Sequence, residues 1–529
     1  MQQHSPQDNE PGAPVPTMTK PTKGGVTCAS LGAHVVQTPK VPPAPDPFQE
    51  RASKWAVFAL AAPGAFMTTL DSSIVNISLP SIARAFGVPL NGAVEWIIIG
   101  YLVVIAGVLL TAGRLADMIG RKPIFIGGII IFTLGSTFSG AAPSLSILIA
   151  ARCFQGLGGA LLFSVNIAML THAFPANERG RALGFNAIVV ALGVSVGPTL
   201  GGVITEYLTW RWIFYINVPI GIILVMVALF VLKEPLHRGQ GQFDPAGAVL
   251  LAIGLASLTL GLSFGQEWGW LSLRLFASVI VGIVALVAAI VVEQHVKDPI
   301  LDLRLLRNRV FASANVSFML CMLALFAVGF LLPFYFEELR GLSVLEAGLL
   351  LTPLSLVLAV VAPISGSLAD RIGSRWLSPI GLAIACIGLA LLSQLDLSTS
   401  IWGITWRLMI TGLGQGIFQA PNTRAIMSAA PANQQGAASG ILATGRVIGQ
   451  SLSVALAGAI FASLGGAAAG TILATGQHTL LPATVGMLQD TFVSSFRAAM
   501  LACAALAALG VLTALVRGNE MVKNVSQQH

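Results

Sequence analysis

Apolar runs long enough to cross a lipid bilayer recur along this chain from residue 55 to residue 516, and no other feature restricts its fold as tightly. A helix needs about 20 mostly apolar residues to span the hydrocarbon core. Inside that core every backbone N–H and C=O must be satisfied within the protein, so only helices and closed barrels can cross. Runs of helical length fall near 55–78, 94–113, 124–142, 145–170, 182–204 and 212–232, then near 246–266 and 274–293. Six more follow near 311–336, 345–369, 376–395, 402–423, 437–463 and 495–516. The expectation is an all-α membrane protein with fourteen transmembrane helices. Composition agrees: 55% of the residues are hydrophobic and 10% are charged, where a soluble domain carries about 25% charged residues.

The net charge of +7 does not point to nucleic acid, because the basic residues are scattered singly and form no stripe or patch. They carry topology instead. Most of the 29 Lys and Arg fall in alternate loops on one side, among them Arg121, Lys122, Arg179, Arg181, Lys297, Arg304 and Arg375. The opposite side has Arg84, Arg211, Arg274 and Arg340. By the positive-inside rule, both termini are expected in the cytoplasm of a multi-pass cell (inner or plasma) membrane protein. Cys28, Cys153, Cys321, Cys386 and Cys503 are far apart, which argues against a disulfide framework or a zinc site. Residues 1–50 are proline-rich and read as a disordered cytoplasmic tail, with a second short tail at 517–529.

The chain also repeats itself. Gly113-Arg114-Leu115-Ala116-Asp117-Met118-Ile119-Gly120-Arg121-Lys122 resembles Gly366-Ser367-Leu368-Ala369-Asp370-Arg371-Ile372-Gly373-Ser374-Arg375. A longer match holds a constant offset of 256, pairing Gly156 with Gly412, Asn166 with Asn422, Gly193 with Gly449 and Ser195 with Ser451. The boundaries that follow are a six-helix half at 51–235, two inserted helices at 236–298 and a second six-helix half at 299–516. An even insertion leaves both halves in the same orientation, as parallel repeats about an axis along the membrane normal require.

Several of these stretches carry a resemblance. The Gly113–Lys122 loop, Arg152 with Gln155 and Gly156, and Gly193-x3-Gly197-Pro198-x2-Gly201-Gly202 resemble successive signatures of the major facilitator superfamily. The segments Leu70–Pro80 and Trp210–Gly221 are similar to its fourteen-span drug:proton antiporter branch. The resemblance covers about 55–520. It implies a major-facilitator-type fold and multidrug efflux by drug:proton antiport.

No Walker A sequence, zinc-protease helix or linked Cys/His set occurs, so neither ATP nor a metal is suggested. No cofactor is expected, and the chain does not read as an enzyme. Energy then has to come from an ion gradient, and each charge moving down 100 mV yields about 2.3 kcal/mol. Asp71 is the sharpest candidate for proton coupling. It lies past the middle of the first span, where an ionised side chain costs at least about 2.5–3.5 kcal/mol and normally faces a water-filled cavity; the competing reading is a carboxylate permanently paired with an arginine. Arg152 has Gln155, Gly156, Phe163 and Asn166 at helical spacing near one face, and the resemblance implicates it in proton coupling. Arg446, in the thirteenth span, is either a partner for an acid or a binder of an anionic group.

The resemblance also makes the Gly113, Asp117, Gly120 and Arg121 loop a conformational latch, with Asp370 and Arg371 in its second copy. Asp117 would cap the positive end of a helix dipole. The alternative is a charged loop that only sets topology. The family commonly has an acid near the end of span four where this chain has His172, so a latch using an Arg121 ion pair there is either missing or pH-sensitive. Gly193, Gly197 and Gly201, with Pro198 and Gly202 beside them, form a small face suited to tight helix packing, and the family associates the proline version with antiporters. A substrate cavity would draw on Tyr101, Gln155, Phe163, Asn166 and Asn422. Glu337, Glu338 and Glu346 read as solvated residues of an outer loop.

These readings converge on alternating-access export of amphipathic small molecules in exchange for protons, with lipid, substrates and protons as partners. A periplasmic adaptor protein is a further partner the resemblance allows. Two rivals stay open. One is a narrow-specificity metabolite or siderophore exporter or an uptake symporter; the other is a non-transporting membrane sensor or assembly partner.

Overall fold

A computed structural model of the chain describes residues 53–88, 92–175, 178–232, 245–295, 305–431, 435–476 and 481–517. The proline-rich segment expected as a tail lies outside these residues. The helices are α1 (Lys54–Phe86), α2 (Gly92–Ile119), α3 (Arg121–Ala141), α4 (Leu145–Ala173), α5 (Arg179–Tyr207), α6 (Trp212–Tyr215), α7 (Asn217–Val231), α8 (Pro245–Trp268) and α9 (Leu273–His295). They continue as α10 (Arg309–Phe334), α11 (Val344–Ile372), α12 (Leu377–Leu392), α13 (Ile401–Ala429), α14 (Gln435–Ser463), α15 (Gly466–Gly476) and α16 (Pro482–Leu515).

Ten helices among the described residues are long and apolar enough to cross a membrane, and three shorter apolar stretches lie in α2, α8 and α12. The fold is therefore all-helical and multi-spanning, and the membrane faces show it. Ile280, Val284, Val287 and Val291 follow one another at helical spacing on α9, and all are exposed. In water such a stripe would be an aggregation hazard; in lipid it is the expected outer surface. Three boundaries differ from the hydropathy reading. The sixth span is interrupted between α6 and α7, a separate short helix α15 occupies the Gly- and Ala-rich stretch, and α16 starts at Pro482.

The repeat is visible in side-chain detail. Asn166 Nδ2 donates to the Ala61 carbonyl at 2.7 Å, and Asn422 Nδ2 donates to the Ala314 carbonyl at 3.0 Å. Gly158 lets α4 press on the α3 backbone at Phe132, and Gly414 lets α13 press on the α12 backbone at Ala385. The two matching loops turn on glycines of one conformation, Gly120 at φ 98°, ψ 157° and Gly373 at φ 84°, ψ 164°. A side chain at either would be strained.

In the first half α1 packs on α4 and α5, and α3 on α4 and α7. In the second half α10 packs on α14 and α16, and α12 on α13 and α16. The halves meet along α5–α11 and α2–α14. Helix α8 lies against both α2 and α14, and α9 packs on α8.

Candidate functional site

Asp71 and Arg152 come together from α1 and α4 into one enclosed polar network. Asp71 is 0% exposed and Arg152 1% exposed. Arg152 Nη1 donates to Asp71 Oδ2 at 2.6 Å and to Gln155 Oε1 at 2.7 Å, while its Nε donates to the Ile97 carbonyl of α2 at 3.1 Å. Asp71 Oδ1 accepts from Gln155 Nε2 at 2.9 Å and from Asn217 Nδ2 at 3.1 Å. The same two amides donate to Ser136 Oγ of α3 at 2.8 and 3.0 Å. The Arg152 guanidinium lies 4.2 Å from the Tyr101 ring centroid and 5.6 Å from that of Phe214, where each ring face attracts the cation. Helices α1, α2, α3, α4, α6 and α7 thus all contribute to one site.

Charge balance explains why it can be buried. A lone carboxylate or guanidinium in a membrane interior is costly, and a buried pair is tolerable only when further hydrogen bonds satisfy its remaining atoms. Here Asp71 accepts from Arg152, Gln155 and Asn217. In this conformation the carboxylate is enclosed and paired. Tyr101 and Gln155, expected in the substrate cavity, belong to this network. Asn166 and Asn422 are buried as interhelical clamps, and Phe163 is half-buried on α4.

The antiporter-type glycines lie directly on the Asp71 helix. A Cβ at Gly193 would strike Thr69 and the α1 backbone, at Gly197 Ser73, and at Gly201 Ile74 and Ile77. Ser73 Oγ also donates to the Gly193 carbonyl at 3.2 Å. The other side of the same stretch meets the second half. The Pro198 carbonyl rests on Gly348, Gly202 on Val344 and Leu345, Ser195 Oγ donates to the Ser355 carbonyl at 3.0 Å, and Thr199 pairs with Thr352 at 2.5 Å. A single short stretch of α5 therefore touches both the helix that carries the acid and the opposite half.

Those contacts cluster toward one end of the bundle, and Arg84 marks it. Arg84, in the last turn of α1, is ion-paired with Glu337 of the second half. This corrects the expectation that Glu337 and Glu338 are solvated loop residues: they are 8% and 6% exposed. The reason is local. The α10 helix does not stop at Pro333 but continues as a π-helical turn over Tyr335–Leu339, which winds both glutamates into the bundle. Glu346 does stay exposed, closing a capping box with Ser343 at the start of α11.

At the other end, Arg121 Nη2 lies 2.9 Å from His172 Nε2, and Arg121 also donates to the Ala168 carbonyl. Gly113 faces Ser164 across α4. The side chains of Asp117 and Asp370 lie outside the described residues, and Arg371 is exposed. Arg446 is apart from the Asp71 network, over the Phe318 ring at 5.5 Å, with its Nε unpartnered among the described residues. Sequence reasoning missed Ser136 and Asn217, although Asn217 sits inside a noted motif. It also missed Arg517, buried and bonded to Asn422 Oδ1 at 2.7 Å. A charge just beyond an apolar run gives no signal that it folds back inside.

The comparisons agree with this architecture. A family model described as Major Facilitator Superfamily matches residues 61–454 and again 316–526. Riboflavin transporter RibZ of Clostridioides difficile (strain 630) is 36% identical over 411 residues, 78% of this chain and 88% of its own. Multidrug resistance protein Stp of Mycobacterium tuberculosis (strain CDC 1551 / Oshkosh) is 32% identical over 401 residues, 76% of this chain and 74% of its own. Among solved structures, a bacterial homologue of the human lysosomal transporter Spinster shares the fold. Its TM-score is 0.64 at 16% identity, over 90% of this chain and 98% of that one. The chain belongs to the Major Facilitator Superfamily, and it is a membrane transporter and not an enzyme.

Proposed function

We propose that this transporter is a proton-coupled exporter of amphipathic small molecules, of the fourteen-span drug:proton antiporter branch, working by alternating access. The observation that carries the reading is the Asp71–Arg152 pair at 2.6 Å. A proton arriving on Asp71 removes the charge that holds Arg152, and the cation must then find other partners. That rearrangement lies under α5, whose glycines grip α1 around Asp71 and whose opposite side grips α11. Protonation is thereby linked to the contact between halves. On the orientation expected from the basic loops, the Arg84 end faces outside. The contacts described there then correspond to a state closed to the outside. The relative named as a multidrug resistance protein supports a broad substrate range.

A narrow-specificity reading has its own support, since another relative is named a riboflavin transporter. Counterflow in liposomes with a substrate panel, under pH gradients of both signs, separates the two. The proposal expects several chemically unrelated amphipathic cargoes, each driven out in exchange for protons that move down an inward gradient. Transport of one metabolite alone, or accumulation down the proton gradient, contradicts it.

A further inference from the structure

One acid in the membrane-spanning bundle has no counter-charge among the described residues. Glu95, in the first turn of α2, is 2% exposed, and its Oε2 has no hydrogen-bond partner among those residues. It sits where three helices meet. From α14, Gly458 presses so close that a methyl group there would overlap the Glu95 carboxylate. From α8, Ser263 and Glu267 face it, the latter a second acid. The only charge on α14 is Arg446, twelve residues away, or about 18 Å along a helix. On the far side of α2, Arg152 is committed to Asp71, and Arg84 of α1 is committed to Glu337. No cation among the described residues balances Glu95.

The contrast with Asp71 decides the chemistry. A buried carboxylate is tolerated beside a hydrogen-bonded arginine, but one with no counter-charge carries an uncompensated desolvation cost as long as the seam around it is closed. Glu95 also lies on the seam between the two halves, because α2 belongs to the first and α14 to the second. The inserted helix α8 seals the third side. We propose that Glu95 is a second proton-binding site, and that the α2–α14 seam at the Arg84 end closes only when Glu95 carries a proton. Parting of the seam wets Glu95 and lets it ionise; re-closing requires a proton from the solution at that end. The proton is taken from and returned to the same side, so Glu95 sets when the seam closes and not how many protons cross. This inference rests on the reading that two halves open alternately, and it does not rest on proton antiport.

The test uses the full-length protein in lipid nanodiscs, with its five native cysteines replaced by serine and transport verified first. Spin labels are placed at the exposed positions Ala85 and Ser463, one at this end of each half. Their separation is measured from about pH 5 to about pH 9, a range wide enough to titrate a buried carboxyl. In the parent protein the distance should lengthen as pH rises. In Glu95→Gln, which keeps the shape of the neutral acid, the short distance should persist at every pH. A parent distance that ignores pH overturns the proposal, and so does a Glu95→Gln distance that lengthens with the parent's midpoint. Substrate turnover by the same variant in liposomes should fall, because the seam parts less often, while the protons moved per substrate in the transport that remains stay at the parent value. That readout separates this idea from proton antiport: antiport fails if the parent moves no protons, whatever the labels report.

Discussion

Leu408 occupies in the second half the position that Arg152 occupies in the first. The match follows from Asn166 and Asn422, which make equivalent bonds, and from Gly156 and Gly412, which press on the carbonyls of Tyr101 and Leu354. By the same register Thr411 stands for Gln155, Leu354 for Tyr101 and Ala324 for Asp71. Both halves keep the glycine packing, but only the first keeps the charges. The duplicated part is packing scaffold, and the Asp71–Arg152 pair has no counterpart at the matching positions of the second copy.

This asymmetry yields a stability prediction. Arg152→Leu strands a buried carboxylate and should destabilise the protein by about 3–5 kcal/mol, read as a lowered thermal unfolding midpoint in detergent. The double variant Asp71→Ala/Arg152→Leu copies Ala324 and Leu408, so it should recover most of that loss while transport stays absent. A double variant no more stable than the single one would show that the pair is not the source of the cost.

The α1–α5 contact predicts a graded effect of added volume. Gly197→Val places atoms where Ser73 lies, and overpacking of this kind costs about 1–3 kcal/mol; transport should fall with it. Gly445→Ala is the control, because nothing lies within 4 Å of the added carbon. It should leave transport unchanged and raise helix stability by up to about 1 kcal/mol. Equal damage from both substitutions would argue against a specific α1–α5 fit.

The Arg84–Glu337 pair predicts a charge-swap rescue. Arg84→Glu removes the cation from a corner that Glu206, Glu337 and Glu338 share, and adds a further carboxylate to it. The repulsion should favour separation of the halves at that end, seen as a longer distance between labels at Ala85 and Ser463. Adding Glu337→Arg should restore the parent distance. Failure of the double reversal would assign the effect to local distortion of the π-helical turn.

The sequence and the structure agree where local physics suffices. Hydropathy finds most spans because lipid imposes one requirement on each of them, and the offset of 256 between Asn166 and Asn422 shows the duplication. Asp71 and Arg152 stand out singly as charges in apolar runs. Their pairing does not, because 81 residues separate them and only the α1–α4 packing brings them together. Glu95 and Arg517 sit near span ends, where a charge normally reaches water, so hydropathy gives no sign of their burial. Glu337 and Glu338 escape for another reason: a π-helical continuation past Pro333 has no sequence signature as clear as a loop's.

The central claim is that Asp71 couples substrate movement to protons. Proton flux into proteoliposomes carrying a trapped pH indicator, started by adding substrate, compares the parent with Asp71→Asn at matched insertion. The parent should show substrate-dependent proton movement opposite in direction to the substrate, and Asp71→Asn should show none while still binding substrate. Full substrate-driven proton movement in Asp71→Asn would contradict the central claim.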